Sequence, residues 1–320
     1  MCSVTPGTYI ALYADDTKIW RPIKTQDDHW ILQRDINSLS LWAARNKMKF
    51  HPDKSKVLEI YNGTVSINSF TYTLNSEPLE YTPCEKDLGI NTVPKLTWTE
   101  HSNILYSRAN QRLGMLKRNC DFVQNFQKRR TLFLAQVRSQ FEHCPVVWQP
   151  HSKTVLNKLE SIQKRGFKWI LNDIALPSFS STSFYYHTCK QLNILPLTFR
   201  FKLKDLTFFH SIFYKKSVLK LPSYLSYFQG SRLRNCHLDN FCIVSSVQPK
   251  TPQNLELLST STGITKSFFY RAHLIWNRLP LDLRKIESKS LFEKKLIDYL
   301  WKEILSLTNL PSDLLDDLDT

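Results

Sequence analysis

Ala11-Leu12-Tyr13-Ala14-Asp15-Asp16-Thr17-Lys18-Ile19 is the stretch on which the reading of this chain turns. A short run from Thr8 to Leu12 and another from Thr17 to Trp20 flank two adjacent carboxylates, a pattern that predicts two strands joined by a tight turn. Neighbouring like charges repel, so a cation, solvent or a basic partner must offset them. Asp pairs are common at exposed turns for ordinary reasons, because their side chains bond nearby backbone. They are also the donors that a hard ion such as Mg²⁺ prefers, since it takes oxygen ligands and keeps positions open for phosphate.

Outward from that turn, Asp28 to Met48 reads as a helix, with Ile31, Ile36, Leu39 and Ala43 at roughly helical spacing. Strands are expected at Lys56 to Tyr61 and Val65 to Ser69, separated by Asn62-Gly63, a dipeptide suited to the positive φ angles of a hairpin. Beyond Trp98 the pattern becomes helical. Leu105, Ala109, Leu113 and Leu116 form one stripe, Phe133, Val137 and Phe141 a second, and Val155, Leu159 and Ile162 a third. Between His101 and Arg130, seven cations stand against Asp121 alone. Leu176 to Gly263, rich in Ser, Pro and aromatics, carries no clear period. A helical pair is expected after it: Lys266 to Arg278, ending at Leu279-Pro280, then a helix opened by a Ser290/Glu293 capping box and carrying Phe292, Leu296 and Leu300. The fold class is therefore α+β, divided into residues 1–98, a basic helical region 99–175 and a mainly helical region 176–320.

Composition bounds what such a chain does. With 320 residues, 42% of them apolar, it can bury a sizeable core. The formal charge of +15 attracts polyanions, and because Pro311 to Thr320 contributes −4, the preceding residues carry +19. Forty aromatic residues sit among those cations, and some can stack on bases although most rings in any fold are core. Seven scattered Cys without a CxxC pair argue for free thiols in a reducing compartment. No apolar run is long enough to span a membrane, and the start lacks the pattern of a secretory leader, so an intracellular protein, nuclear or cytoplasmic, with no membrane partner is expected. His187, Cys189, Cys236, His237 and Cys242 do not have the paired spacing of a zinc site.

The string around Asp15 resembles the palm-domain metal motif of reverse transcriptases, in the form typical of non-LTR (LINE-type) retrotransposons. The likeness continues in order. Trp42-Ala43-Ala44-Arg45-Asn46-Lys47-Met48-Lys49-Phe50 followed by Asp53-Lys54-Ser55-Lys56 is similar to the next palm motif, a helix leading into a lysine-bearing loop and strand. Lys86 to Ile90 and Lys95 to Trp98 with His101 look like the segment that grips the primer, and the basic helices after them resemble the thumb. Lys266 to Phe269 and Trp276 to Pro280 are similar to the tail of certain retrotransposon polymerases.

That resemblance implies an RNA-directed DNA polymerase with an RNA template, a DNA primer and Mg²⁺. Asp15 and Asp16 would serve the metals, Tyr13 would lie under the primer end, and Lys54 would donate a proton to the departing pyrophosphate. Arg108, Arg112, Lys117, Arg118, Lys128, Arg129 and Arg130 would contact phosphates, which supply affinity without reading sequence. The family also has a fingers region and an earlier palm strand with another metal-binding Asp, whereas residues 1–14 contain no acid. The expectation is thus a carboxyl-terminal fragment, dependent on a missing fingers and palm segment and inactive alone. Its rivals are a non-catalytic nucleic-acid-binding protein using only the basic helices, and a relic with no function.

Overall fold

The computed structural model describes residues 4–61, 70–172, 182–227, 241–245 and 267–308. They form two compact units, Met1–Thr97 and Trp98–Thr320, and the class is α+β.

In the first unit, β1 (Tyr9–Tyr13) and β2 (Asp16–Trp20) make an antiparallel hairpin, and α1 (Gln26–Arg45) follows. The start of α1 is set by Asp28, whose carboxylate accepts from the backbone of Lys24 and Thr25 at 3.0 Å each and from Arg21 Nε at 2.8 Å. These three donors hold the Asp28 carboxyl well below the usual carboxylate range. The helix ends earlier than Met48 because Lys47 turns left-handed at φ 58°: Met48 N donates to Ala43 O at 2.9 Å and Lys47 N to Ala44 O at 3.1 Å, the two bonds of a Schellman cap.

After a 3₁₀ turn at Pro52–Lys54 come β3 (Lys56–Val57), β4 (Thr73–Leu74), β5 (Glu77–Pro78), β6 (Glu80–Tyr81), β7 (Glu85–Asp87) and β8 (Ile90–Thr92). β3 pairs with β6 in parallel, and β4–β5 and β7–β8 are short antiparallel ladders. The strand expected over 56–61 is only two residues long, and the Asn62-Gly63 hairpin with Val65 to Ser69 lies outside the described residues. Ile36, Tyr72 and Leu74 form the small core, with Ile19, Leu32, Phe50, Val57, Phe70 and Leu79 packed on it. Gln33 locks α1 to β4: its amide donates to Thr73 O at 2.9 Å and accepts from Thr73 N at 2.8 Å, replacing a strand neighbour.

The second unit is mainly helical. It contains α2 (Thr99–Asn119), α3 (Phe126–Gln136) running into a 3₁₀ turn at Arg138–Phe141, α4 (Pro145–Trp148), α5 (Lys153–Ile170), α6 (Thr182–Leu192) and α7 (Leu197–Phe213). A two-stranded ladder of β9 (Leu225–Tyr227) and β10 (Ile243–Ser245) precedes α8 (Phe268–Asn277), α9 (Leu281–Arg284) and α10 (Lys289–Thr308). The expected stripes are inside: Leu105, Ala109, Leu113 and Leu116; Phe133, Val137 and Phe141; Leu159 and Ile162; and Phe292, Leu296 and Leu300 are all buried, whereas Val155 is only half-buried. Residues 99–175 and 176–320 share this unit. Glu160 of α5 accepts from the Tyr185 hydroxyl of α6 and from Leu197 N, at the start of α7, at 2.9 Å.

Two helix signals came out differently. The last helix is capped by Ser288, whose hydroxyl accepts from Leu291 N at 3.5 Å, so Ser290 sits inside the first turn and the expected Ser290/Glu293 box is not the cap. The unreadable region holds α7, the central helix, with twelve of its seventeen residues buried. Its charged residues, Arg200, Lys202, Lys204 and Asp205, are spread round the helix and pair with Glu142, Glu303 and Arg271 from separate segments, so no single polar face reveals a period.

Candidate functional site

The acidic turn is built by its hairpin. β1 and β2 pair from Tyr9 opposite Trp20 to Tyr13 opposite Asp16, leaving a two-residue connection, Ala14-Asp15. Two-residue hairpin loops need positive φ, and Ala14 supplies it at 51°, a conformation costly for a residue with a Cβ. Strand alternation then assigns the faces. Ile19 packs on the core with Ile10 as its cross-strand partner, while Tyr9, Ala11, Tyr13, Asp16, Lys18 and Trp20 share the opposite, open face. There Tyr9 and Trp20 stack at 5.5 Å between ring centroids, and Tyr13 is 67% exposed.

Asp15 at the tip and Asp16 beside it are both exposed. Among the described residues neither carboxylate pairs with a cation or accepts a hydrogen bond. Lys18, two residues along from Asp16 on the same face of the hairpin, binds Asp87 instead. Two exposed hard-oxygen donors side by side suit Mg²⁺, which keeps several waters and is commonly held by one or two carboxylates plus substrate phosphates. Among the described residues no group of three His, Cys, Asp or Glu side chains gathers where it could hold a metal, so the turn offers two donors and no third. Lys54 ends the 3₁₀ turn after α1, exposed and without an ion pair among the described residues.

The cations expected to bind phosphate divide into two groups. Arg108, Arg112, Lys117, Arg118 and Lys128 are exposed. Arg129 is corrected from a phosphate contact to a structural residue. It is 1% exposed, and its guanidinium donates to the carbonyls of Val123, of Trp169 at 2.7 Å and of Asp121 at 3.0 Å, and to Asn172 Oδ1 at 2.9 Å. Those bonds satisfy carbonyls left over at the end of α5 and in the turn before α3, so no donor face is left for a polymer. Arg130 is likewise committed, its guanidinium donating to Leu192 O and, at 3.1 Å, to Asn193 O at the end of α6.

Sequence reasoning overlooked α5. Lys158, Arg165 and Lys168 lie along one side of that helix, outside the charge-dense window 101–130, and join Lys117. Their spacing of seven and three residues was the available signal, since it keeps side chains on one helical stripe. Among the metal-ligand types considered for zinc, Cys189 and Cys242 are buried, His187 is exposed, and Cys236 and His237 lie outside the described residues.

No family model, curated protein or solved structure matches this chain. No helix among the described residues is long and apolar enough to cross a membrane.

Proposed function

We propose that this chain is the carboxyl-terminal part of an RNA-directed DNA polymerase of the non-LTR retrotransposon type, working on an RNA template and a DNA primer. The observation that carries the reading is the acidic turn: Asp15 and Asp16 stand unneutralised at the tip of a two-residue hairpin, on a chain whose sequence around that tip resembles the palm motif. In this reading the two carboxylates hold Mg²⁺. The ion, when bound, supplies charge neutralisation for the attacking and leaving oxygens of phosphoryl transfer. Tyr13 supports the primer end, Lys54 supplies a proton to pyrophosphate, and the exposed cations Arg108, Arg112, Lys117, Arg118 and Lys128 hold phosphates of the nucleic acid.

Two acids from one turn do not by themselves align two metal ions with a nucleotide, so nucleotidyl transfer needs a further carboxylate beyond those the described residues gather. Primer extension on a primed RNA template is accordingly expected only when a segment bearing that ligand is added. The test on the chain itself is titration with a deoxynucleoside triphosphate, with and without Mg²⁺. Mg²⁺ should tighten binding, and Asp15→Ala should abolish the Mg²⁺ effect. Binding that is indifferent to Mg²⁺, or a Mg²⁺ effect that survives Asp15→Ala, would reject the reading.

A further inference from the structure

The end of α7 and the start of α10 are tied into one surface. The helix α7 stops where Lys215 turns left-handed at φ 54°: Lys215 N donates to Ile212 O at 3.0 Å and Lys216 N to Ser211 O at 2.7 Å, a Schellman cap. That end is held against the segment leading into α10. The Tyr214 hydroxyl donates to Arg284 O at 2.5 Å, His210 Nε2 is bonded to Ile286 O at 2.7 Å, and Lys216 Nζ donates to Glu287 O at 2.5 Å. These bonds bring Lys215 and Lys216 to the segment that carries Lys285 and Lys289, and all four lysines are exposed.

Little on this surface neutralises that charge. Lys215 to Lys220 contains three lysines and no acid, and Lys285 to Leu291 contains two lysines and one acid, Glu287. Among the described residues no carboxylate pairs with any of these five cations. Elsewhere the same unit balances its charges: Arg200 and Lys204 share Glu142 at 2.7 and 3.4 Å, and Lys202 meets Glu303 at 2.7 Å. The surface is also apolar. Val218 is 98% exposed, and Leu219 and Leu291 follow at 50% and 47%. Aliphatic side chains set among unneutralised ammonium groups match a peptide that alternates leucines with acids. They match a nucleic-acid strand less well, since a base stacks on an aromatic face.

The chain itself carries such a peptide. Pro311-Ser312-Asp313-Leu314-Leu315-Asp316-Asp317-Leu318-Asp319-Thr320, which lies outside the described residues, has four Asp and three Leu and no cation. Its tether is long enough. With 20 residues at ~1.5 Å each, α10 is about 30 Å long, and Leu318, ten residues past Thr308, reaches up to about 34 Å at ~3.4 Å per residue. We infer that Pro311 to Thr320 docks back on the surface made by Lys216, Lys285 and Lys289 with Val218, Leu219 and Leu291. Its aspartates face the ammonium groups and its leucines cover the aliphatic side chains. One exposed ion pair is weak, so the contact depends on several acting together and on the tether, which makes the encounter intramolecular. Docked there, the tail screens these lysines from other polyanions. The inference requires neither metal at the acidic turn nor a nucleic-acid template.

The experiment titrates a labelled peptide with the sequence of residues 309–320 against the full chain. In the wild type the tail already occupies the surface, so the peptide should bind weakly. Asp313→Asn/Asp316→Asn/Asp317→Asn/Asp319→Asn in the chain should tighten peptide binding at least about tenfold, because a short tether holds the tail at roughly millimolar effective concentration. In that background Lys216→Gln/Lys285→Gln/Lys289→Gln should abolish the gain. Val218→Ser, which changes a side chain almost wholly in solvent and so leaves the fold intact, should reduce the gain several-fold. Arg108→Gln/Arg112→Gln/Arg118→Gln removes three exposed cations from α2 and should leave it unchanged. A peptide with Leu314→Ser/Leu315→Ser/Leu318→Ser should bind at least about tenfold more weakly. Equal peptide binding by the wild type and the tail variant overturns the inference, as does a loss in the α2 variant matching that in the lysine variant. Full binding by the serine peptide also overturns it, since charge alone would then suffice. So does binding of phosphatidylserine vesicles that needs Val218 and the three lysines while the peptide shows no gain, which would assign the surface to lipid.

Discussion

Arg129 and Arg118 show how little a residue's type says about its work. Both are arginines in the basic stretch, yet Arg118 is exposed on α2 and Arg129 is 1% exposed, bonded to three carbonyls and an amide oxygen and lying 5.3 Å from the centroid of the Trp169 ring. A buried guanidinium is tolerated only when its donors are satisfied, and removing it orphans the acceptors. Arg129→Ala should destabilise the second unit by about 3 kcal/mol or more, while Arg118→Ala should change stability by less than about 0.5 kcal/mol. Denaturant unfolding of both variants decides it: equal effects would return Arg129 to the accessible surface. Conversely, Arg118→Ala leaves the fold untouched and is the variant in which a change in nucleic-acid affinity can be read directly.

Among the elements, α3 packs a ring directly on the backbone of α5. Gly166 lies inside α5, and a Cβ there would fall 2.2 Å from Cε2 of Phe133, a ring with no exposed surface. Glycine usually weakens a helix interior by about 1 kcal/mol relative to alanine, so Gly166→Ala would be stabilising if propensity ruled. Overpacking is larger, typically ~1–3 kcal/mol, because the Phe133 ring has Phe167 against it at 6.3 Å and cannot swing away freely. Gly166→Ala should therefore destabilise the unit by about 2 kcal/mol. Combined with Phe133→Leu it should cost less than the two single changes together, a coupling that a double-mutant cycle measures. Additive effects would show that the two helices do not press on each other at this point. Of this packing the apolar stripes of α2, α3 and α5 were legible in the sequence, since each has a polar opposite side. The close approach was not, because it depends on which ring meets the glycine.

For the molecule as a whole, buried histidines set how the second unit responds to acid. His101 is packed edge-on against Trp148 at 5.3 Å, His210 lies flat on Phe292 at 4.3 Å with Nε2 bonded to Ile286 O, and His273 is buried in α8. Burial lowers the pKa of all three, His101's to about 4, where neighbouring Arg108 and His143 add to the effect. Since the folded values lie below the unfolded one, acid favours the unfolded chain: stability is complete above about pH 6.5 and declines as pH falls toward the folded values. His101 alone should cost on the order of 1–2 kcal/mol at pH 5. Glu142, whose pKa is lowered by its bond to Arg200 against the opposing effect of burial, loses its contribution as pH falls through the ordinary carboxylate range. Burial raises the carboxyls of Glu160 and Asp205, which take up protons in the folded unit and work against the histidines; the slope that His101→Phe removes is the part that belongs to His101. Thermal melts of the full chain from pH 6.5 to 5 should show the falling stability, and His101→Phe should flatten it. A melt independent of pH between 7.5 and 5 would mean that the folded unit takes up protons there as readily as the unfolded chain, and would reject the depressed histidines.

The sequence by itself determined the strand–turn–strand around Asp15 and Asp16, the order of a short-stranded unit before a helical one, and the excess of cations between His101 and Arg130. Each is written in neighbouring residues or in a helical period, so local steric preference and burial of one face are enough to make it. Only the tertiary structure decided that α7 lies at the centre, that Arg129 and Arg130 are spent on carbonyls, and that Lys117 of α2 stands near Arg165 and Lys168 of α5. The reason is physical: whether a charge remains available depends on the acceptors that surround it, and those acceptors come from segments far apart in the chain.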